Sequence, residues 1–297
     1  MIKKLTLITT NKKQVHAIYK NKPINYKTNS TLGYDHGRDT LYLQIERSNG
    51  QVKGIYTNYS VTLPDGVDPS IYLYENGLNC EHVWPQSMYE GDGLMESDMH
   101  HLRPCKENVN SSRGNKPFDE ITDSQTDHWY WQNQNISNIP STNIDEYSES
   151  SSSAFEPRED RKGDIARSMY YFYTIYNSVI NSSFFEPQKD VLYQWHLNDP
   201  PSTNEIDITW AIADYQDNIP NPFILDDSLI YRAFFYASLP GDITFDNIVN
   251  VSDIVFMVSI ILDDIETTSE QFTNADLDEN LVINVADIVA LVNIILS

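Results

Sequence analysis

Residues 79–118 read NCEHVWPQSMYEGDGLMESDMHHLRPCKENVNSSRGNKPF. The stretch holds three of the chain's seven histidines, and its basic residues, Arg103, Lys106, Arg113 and Lys116, all follow Leu102. Cleaving a phosphodiester requires an activated water, a held phosphate and an offset to charge on the leaving oxygen. A neutral imidazole does the first, and one divalent ion does the other two. Glu81 and His82 are adjacent, so on a strand they point to opposite faces. They share one site only if the chain bends there, and Pro85 offers the bend. Arginine suits phosphate, so this composition alone points to a metal-dependent phosphodiesterase.

The rest of the chain bounds that reading. Its 297 residues suit one large domain or two smaller ones, and 40% hydrophobic residues suffice for a real core. No apolar run reaches the length of a membrane span. Two cysteines exclude a disulfide scaffold, and for Cys80 and Cys105 a bridge and buried thiols are both open. The net charge of −23 argues against a generic nucleic-acid-coating protein, but it is unevenly spread. Residues 1–78 carry +4, whereas residues 241–297 hold no base and 11 acids. The opening MIKKLTLITTNKK has a short polar middle and makes a poor signal peptide.

Residues 39–47 and 52–61 alternate and are rich in β-formers, so they predict a hairpin about the turn SNGQ. Residues 164–180 predict a buried helix, with Asp164 near its positive end. Residues 121–153, rich in Ser, Asn, Asp and Gln, predict a surface insertion. Strands followed by helices indicate an α+β fold.

The tail is an internal repeat. VNVSDIVFMVSIIL at 249–262 and INVADIVALVNIIL at 283–296 are identical at nine of 14 positions, 34 residues apart. Asp242, Thr244, Asp246, Asn250 and Asp253 precede or open the first helix; Asp276, Asp278, Asn280, Asn284 and Asp287 do so in the second. They occupy positions 1, 3, 5, 9 and 12 of a twelve-residue loop, a spacing that supplies oxygens to Ca2+. The bland alternative is two solvated acidic loops capping helices. The duplication resembles a type I dockerin, which implies a small all-α domain of two loop-helix repeats over 239–297. It also implies Ca2+ as ligand and a cohesin-like or cell-surface partner. Where that family usually has Gly at position 6, this chain has Asn247 and Leu281, which predicts a weaker second site.

The nuclease-like module, 1–238, resembles the bacterial endonuclease I family of ββα-metal (His-Me finger) nucleases. The matching blocks are YDHGRDTLY at 34–42, NCEHVWPQS at 79–87, ESDMHHLRP at 96–104, and NSSRGNKPF at 110–118. FEPREDRKGDIAR at 155–167, WHLNDP at 195–200 and QDNIPNPFI at 216–224 follow in order. The resemblance implies a hairpin and helix gripping one divalent ion, Mg2+, within an α+β domain. It implies largely sequence-independent cleavage of DNA, often of RNA too, by secreted enzymes, here a monomer without a membrane span. Carried over, His82 is the general base, Glu81 and Asn110 are the metal ligands, and Arg113 and Arg167 contact phosphate. Asp98 and His100 take supporting roles. Some members have an arginine where residues 88–95 here have no base, so that role would fall to Arg113 or Arg167. Ile208, Thr209 and Ile219 stand where the family tends to be basic or close to it. The start resembles a truncated one, with the family's leading stretch and signal missing.

Blander readings stand beside these. His16, His128 and His196 are expected to be structural, Trp129–Trp131 to pack, and Arg158, Arg161 and Lys162 to form a solvated face. Rival functions are a zinc hydrolase using His82, His100 and His101, and a catalytically inactive calcium-dependent surface module. Adjacent histidines suit zinc poorly, and no catalytic position of the endonuclease motif is broken.

Overall fold

A computed structural model describes residues 27–89, 93–235, 239–262, 265 and 267–297. MIKKLTLITTNKK and His16 lie outside the described residues, as do residues 90–92 of the segment 88–95. The described residues of Asn25–Ala233 form one compact unit and those of Phe234–Ser297 belong to another.

The first unit mixes helices with small antiparallel sheets, consistent with α+β. Helix α1 (Tyr34–Thr40) runs into a π turn at Leu41–Ile45. Strand β1 (Gln51–Lys53) pairs with β2 (Ser60–Thr62), and α2 (Pro69–Glu75) leads to β3 (Leu78–His82). After α3 (Gly93–Ser97), β4 (Leu102–Lys106) returns antiparallel to β3, with Glu81 opposite Arg103 and His82 opposite Leu102. Pro104 is tolerated in β4 because this sheet has two strands, and its missing N–H falls where the ladder can do without it. Helix α4 (Glu107–Arg113) starts directly after β4 and packs on both strands, completing a ββα unit.

Strands β5 (His128–Trp131), β6 (Gln134–Ile136), β7 (Ser148–Ser150) and β8 (Phe155–Glu156) make a sheet in the order β6-β5-β7-β8. Helix α5 (Lys162–Tyr176) is buried along nearly its whole length, as the sequence predicts for 164–180. Its Phe172 stacks on Trp84 at 5.2 Å, anchoring the chain just beyond β3. Helices α6 (Ser182–Phe185), α7 (Lys189–Asn198), α8 (Thr203–Ala213), α9 (Pro222–Leu225) and α10 (Leu229–Phe234) complete the order.

Three expectations change. The expected hairpin of 39–47 with 52–61 does not form: 39–47 is mostly helical, and the strand pair found there joins Gln51–Lys53 to Ser60–Thr62, so its turn lies at 54–59 and not at SNGQ. Leu41 and Ile45 pack on Met99, Leu102 and Ile212, while Tyr42 packs on Val52, Val61 and Leu73. That i,i+4 pairing is helical, and the apparent alternation hid it. The segment 121–153 is more than a surface insertion: it supplies three strands, with Trp129, Ser148 and Ser150 buried. The cluster Arg158, Arg161 and Lys162 is not a solvated face. Arg158 and Lys162 are buried, Arg158 beside Glu146 and Asp160 and Lys162 bonded to Glu156 at 2.7 Å.

In the second unit, α11 (Val251–Ile261), α12 (Ser269–Ala275) and α13 (Val285–Leu296) surround Ile243, Met257, Ala275 and Leu291. Asn250 and Asn284 cap α11 and α13 through reciprocal boxes closed by Asp253 and Asp287.

Candidate active site

The ββα unit walls a cavity of about 490 Å³. Its lining includes Glu81 and His82 from the end of β3, Gln86 and Ser87 beyond Pro85, and Asn110, Ser111 and Asn115 from α4 and the turn after it. The two adjacent residues therefore do face one site. His82 is the last residue of the strand, and the chain turns at Pro85 into a short helix over Gln86–Met88.

The His82 ring is held on three sides. Its Nε2 lies 3.0 Å from the Glu96 carbonyl oxygen, Tyr34 stacks on it at 5.3 Å, and His101 meets it edge-on at 5.4 Å. A carbonyl only accepts, so Nε2 carries the proton and Nδ1 keeps its lone pair. Burial pushes the imidazole pKa down to about 4, the Arg113 and Arg38 charges add to that, and the Glu96 bond opposes it. The ring is thus a neutral base at neutral pH.

Glu81 and Asn110 are each tethered through one end. The Tyr56 hydroxyl donates to Glu81 Oε1 at 2.7 Å, and Arg113 Nε stands 3.6 Å from the same oxygen. Burial raises the Glu81 carboxyl pKa, opposed by Arg113 and by the Tyr56 bond. Asn110 Nδ2 donates to Asn79 Oδ1 and to the Cys80 carbonyl, both at 2.9 Å. With both amide hydrogens engaged, Asn110 offers only Oδ1, and Glu81 retains Oε2. One carboxylate and one amide oxygen beside an open cavity suit a hard divalent cation that keeps several waters.

The two arginines read from the motifs do not line the cavity. Arg113 is fully buried; it donates to the Val83 carbonyl at 2.7 Å and the Gly114 carbonyl at 3.0 Å, and its guanidinium lies over Phe118. Arg167 is also fully buried, gripping Glu205 with two bonds of 2.7 and 2.6 Å and the Asp199 carbonyl at 2.7 Å. As placed, Arg113 braces Glu81 from behind and Arg167 ties α5 to α8; a direct phosphate contact fits neither. Asp98 accepts from Tyr171, Tyr176 and Gln216, a supporting role as expected. The zinc alternative finds no convergence, since Nε2 of His82, His100 and His101 meets three different carbonyls, those of Glu96, Ile219 and Met95. Cys80 and Cys105 are free thiols.

The tail loops organise their acids by backbone bonds. Asp253 Oδ1 accepts from the Ile243 and Thr244 amides, and Asp242 accepts from the Asp246 and Asn247 amides. In the second loop Asp287 accepts from Leu277, and Asp276 from Asn280 and Leu281. Asn247 and Leu281 both take left-handed backbone, at φ 64° and 66°. Asp276, Asp278 and Asp287 each bring one oxygen within 4.8 Å of the others. So it is the second loop, with the unfavourable Leu281, that draws three carboxylates together, whereas the first has Thr244 in place of an acid.

Sequence reasoning missed Tyr56, the Glu96 carbonyl and the positioning part of Asn79 and Tyr34. Asn79 and Tyr34 stand inside the quoted blocks, but nothing local marks Tyr56 as the partner of Glu81.

Comparisons with known proteins identify the family. The chain is 30% identical over 164 residues to a protein named "Extracellular ribonuclease" from Bacillus subtilis (strain 168), covering 49% of this chain and 50% of that protein. It is 32% identical over 165 residues to a protein of the same name from Bacillus amyloliquefaciens, again covering 49% and 50%. The chain thus spans about half the length of the curated relatives it matches. The Endonuclease I family model matches residues 6–227, well over half of the chain, which therefore belongs to the Endonuclease I family.

Proposed function

We propose that this chain is a divalent-metal-dependent, largely sequence-non-specific endonuclease acting on DNA and, in line with its relatives' names, RNA. The observation that carries the reading is one cavity lined together by a neutral imidazole, a buried carboxylate and an oriented amide oxygen. In this reading His82 Nδ1 takes the proton of the attacking water, while the Glu96 carbonyl on Nε2 keeps the ring from turning away. Glu81 and Asn110 would hold the ion, taken as Mg2+. When bound, it supplies positive charge to the scissile phosphate and the departing 3′ oxygen. Tyr56 and Arg113 keep the Glu81 carboxylate oriented, and Asn79 does the same for Asn110.

For the tail we infer a dockerin-like Ca2+-binding adaptor. The duplicated loops support this, as do equivalent valines that stay more than half exposed: Val251 (63%) with Val285 (64%), and Val255 (62%) with Val289 (57%). Such paired apolar positions suit docking to a cohesin-like or cell-surface partner. The relatives' extracellular names support secretion; attachment to a surface through the tail, and a monomeric state, belong to the same reading. No helix among the described residues is long and apolar enough to cross a membrane.

Incubating the full chain with plasmid DNA and with single-stranded RNA, under Mg2+, Ca2+, Zn2+ or EDTA, tests the reading. Cleavage that requires a divalent ion supports it. Cleavage indifferent to EDTA contradicts it.

A further inference from the structure

In a chain of net charge −23, most described basic residues have a carboxylate nearby, from Arg38 on Asp35 at 3.1 Å to Lys189 on Glu186 at 3.6 Å. Three lysines stand apart. Lys53 is exposed, Lys106 and Lys116 are half-exposed, and none forms an ion pair with a described carboxylate, though the charge of Asp127 acts on Lys116. Lys106 Nζ donates to the neutral Asn133 Oδ1 at 2.6 Å and Lys116 Nζ to the Ser150 hydroxyl at 2.7 Å. An ammonium group has three donors, so Lys116 keeps two for another acceptor and Lys106, which also lies over the Tyr59 ring at 4.9 Å, keeps at least one. Burial pulls both ammonium groups down, and at Lys106 no acid opposes it.

Their location matters more than their number. Lys106 immediately precedes α4 and Lys116 follows its end, so the two bracket the helix that carries Asn110. Between them Asn110, Ser111, Gly114 and Asn115 line the cavity. Seven helical residues span about 10 Å, over which one strand of a duplex carries about three phosphates.

We propose that Lys106 and Lys116 form the track that holds the substrate phosphates flanking the scissile bond, taking the place of the buried Arg113 and Arg167. This rests on the nuclease reading. It is tested by fluorescence anisotropy of a short labelled single-stranded oligonucleotide, in EDTA so that nothing is cut, as salt is raised. The Lys106→Gln/Lys116→Gln pair should bind more weakly, and its log affinity against log salt should be shallower by about 1.4, near 0.7 for each lost contact. Lys106→Arg/Lys116→Arg should restore the slope, and Lys189→Gln, whose lysine is already paired, should leave it unchanged. If the double glutamine variant loses its fold, the single variants Lys106→Gln and Lys116→Gln carry the same test, each with a shift near 0.7. An unchanged slope in these variants, with wild type binding and cutting, overturns the track alone. Wild type that neither binds nor cuts overturns the nuclease reading and the track with it.

Discussion

The Tyr56 hydroxyl donates to Glu81 Oε1 at 2.7 Å, with both residues buried. The bond fixes which carboxylate oxygen remains for a ligand. Tyr56→Phe should therefore weaken divalent-ion binding about tenfold, the lower end of what partners of metal ligands contribute. Isothermal titration with Mn2+ or Mg2+ reads this directly. An unchanged affinity would mean that Arg113 alone orients Glu81.

Gly163, at the start of α5, is required for a close approach. A Cβ built there would stand 1.9 Å from the Asp199 carbonyl oxygen, which itself accepts from Arg167. Gly163→Ala must push α5 away from that turn and loosen the Arg167–Glu205 pair, and about 3 kcal/mol of stability should be lost. Chemical denaturation measures the loss. A change under about 0.5 kcal/mol, the range of an ordinary surface substitution, would contradict the packing described.

Glu149 and Glu156 face each other across β7 and β8, and both are buried. Burial pushes each carboxyl up to about 7, against the bonds from Thr126 and Lys162 respectively. A folded-state value above the unfolded one gives stability that is present at low pH and lost as pH rises through the folded value. Wild type should therefore lose stability between about pH 4.5 and 8. Glu149→Gln should flatten that loss, melting roughly 2–4 °C higher than wild type at pH 8 and no higher at pH 4.5. Equal melting temperatures at pH 8 would contradict the assignment.

Asp253 and Asp287 each gather several backbone amides while standing among other acids. Ca2+ should raise the melting temperature of the tail's transition, and EDTA should lower it, because ions bound in the two loops offset part of the repulsion among 11 acids in so small a unit. Asp287→Ala should remove most of the effect. Calorimetry with and without Ca2+ decides, and identical traces would contradict calcium binding.

The site was legible where chemistry and chain order coincide. NCEHVW and NSSRGN placed Glu81, His82 and Asn110 around one cavity, and the tail repeat located α11 and α13 and the left-handed residues 247 and 281. It was not legible where burial decides. Arg113 and Arg167 sit in motif blocks, yet a motif does not tell a guanidinium facing solvent from one sealed behind a carboxylate. Strands of three or four residues in 121–153 carry too little periodicity to outweigh a polar composition. The helical segment at 39–47 looked like a strand because Leu41 and Tyr42 serve two different cores.

The central claim is that His82 is the base. Plasmid nicking by wild type and by His82→Ala, each folded and each with Mg2+, tests it most directly. Wild type should nick the plasmid, EDTA should abolish the nicking, and His82→Ala should lose at least 100-fold, the scale of a missing general base. Equal nicking by the two proteins would contradict it.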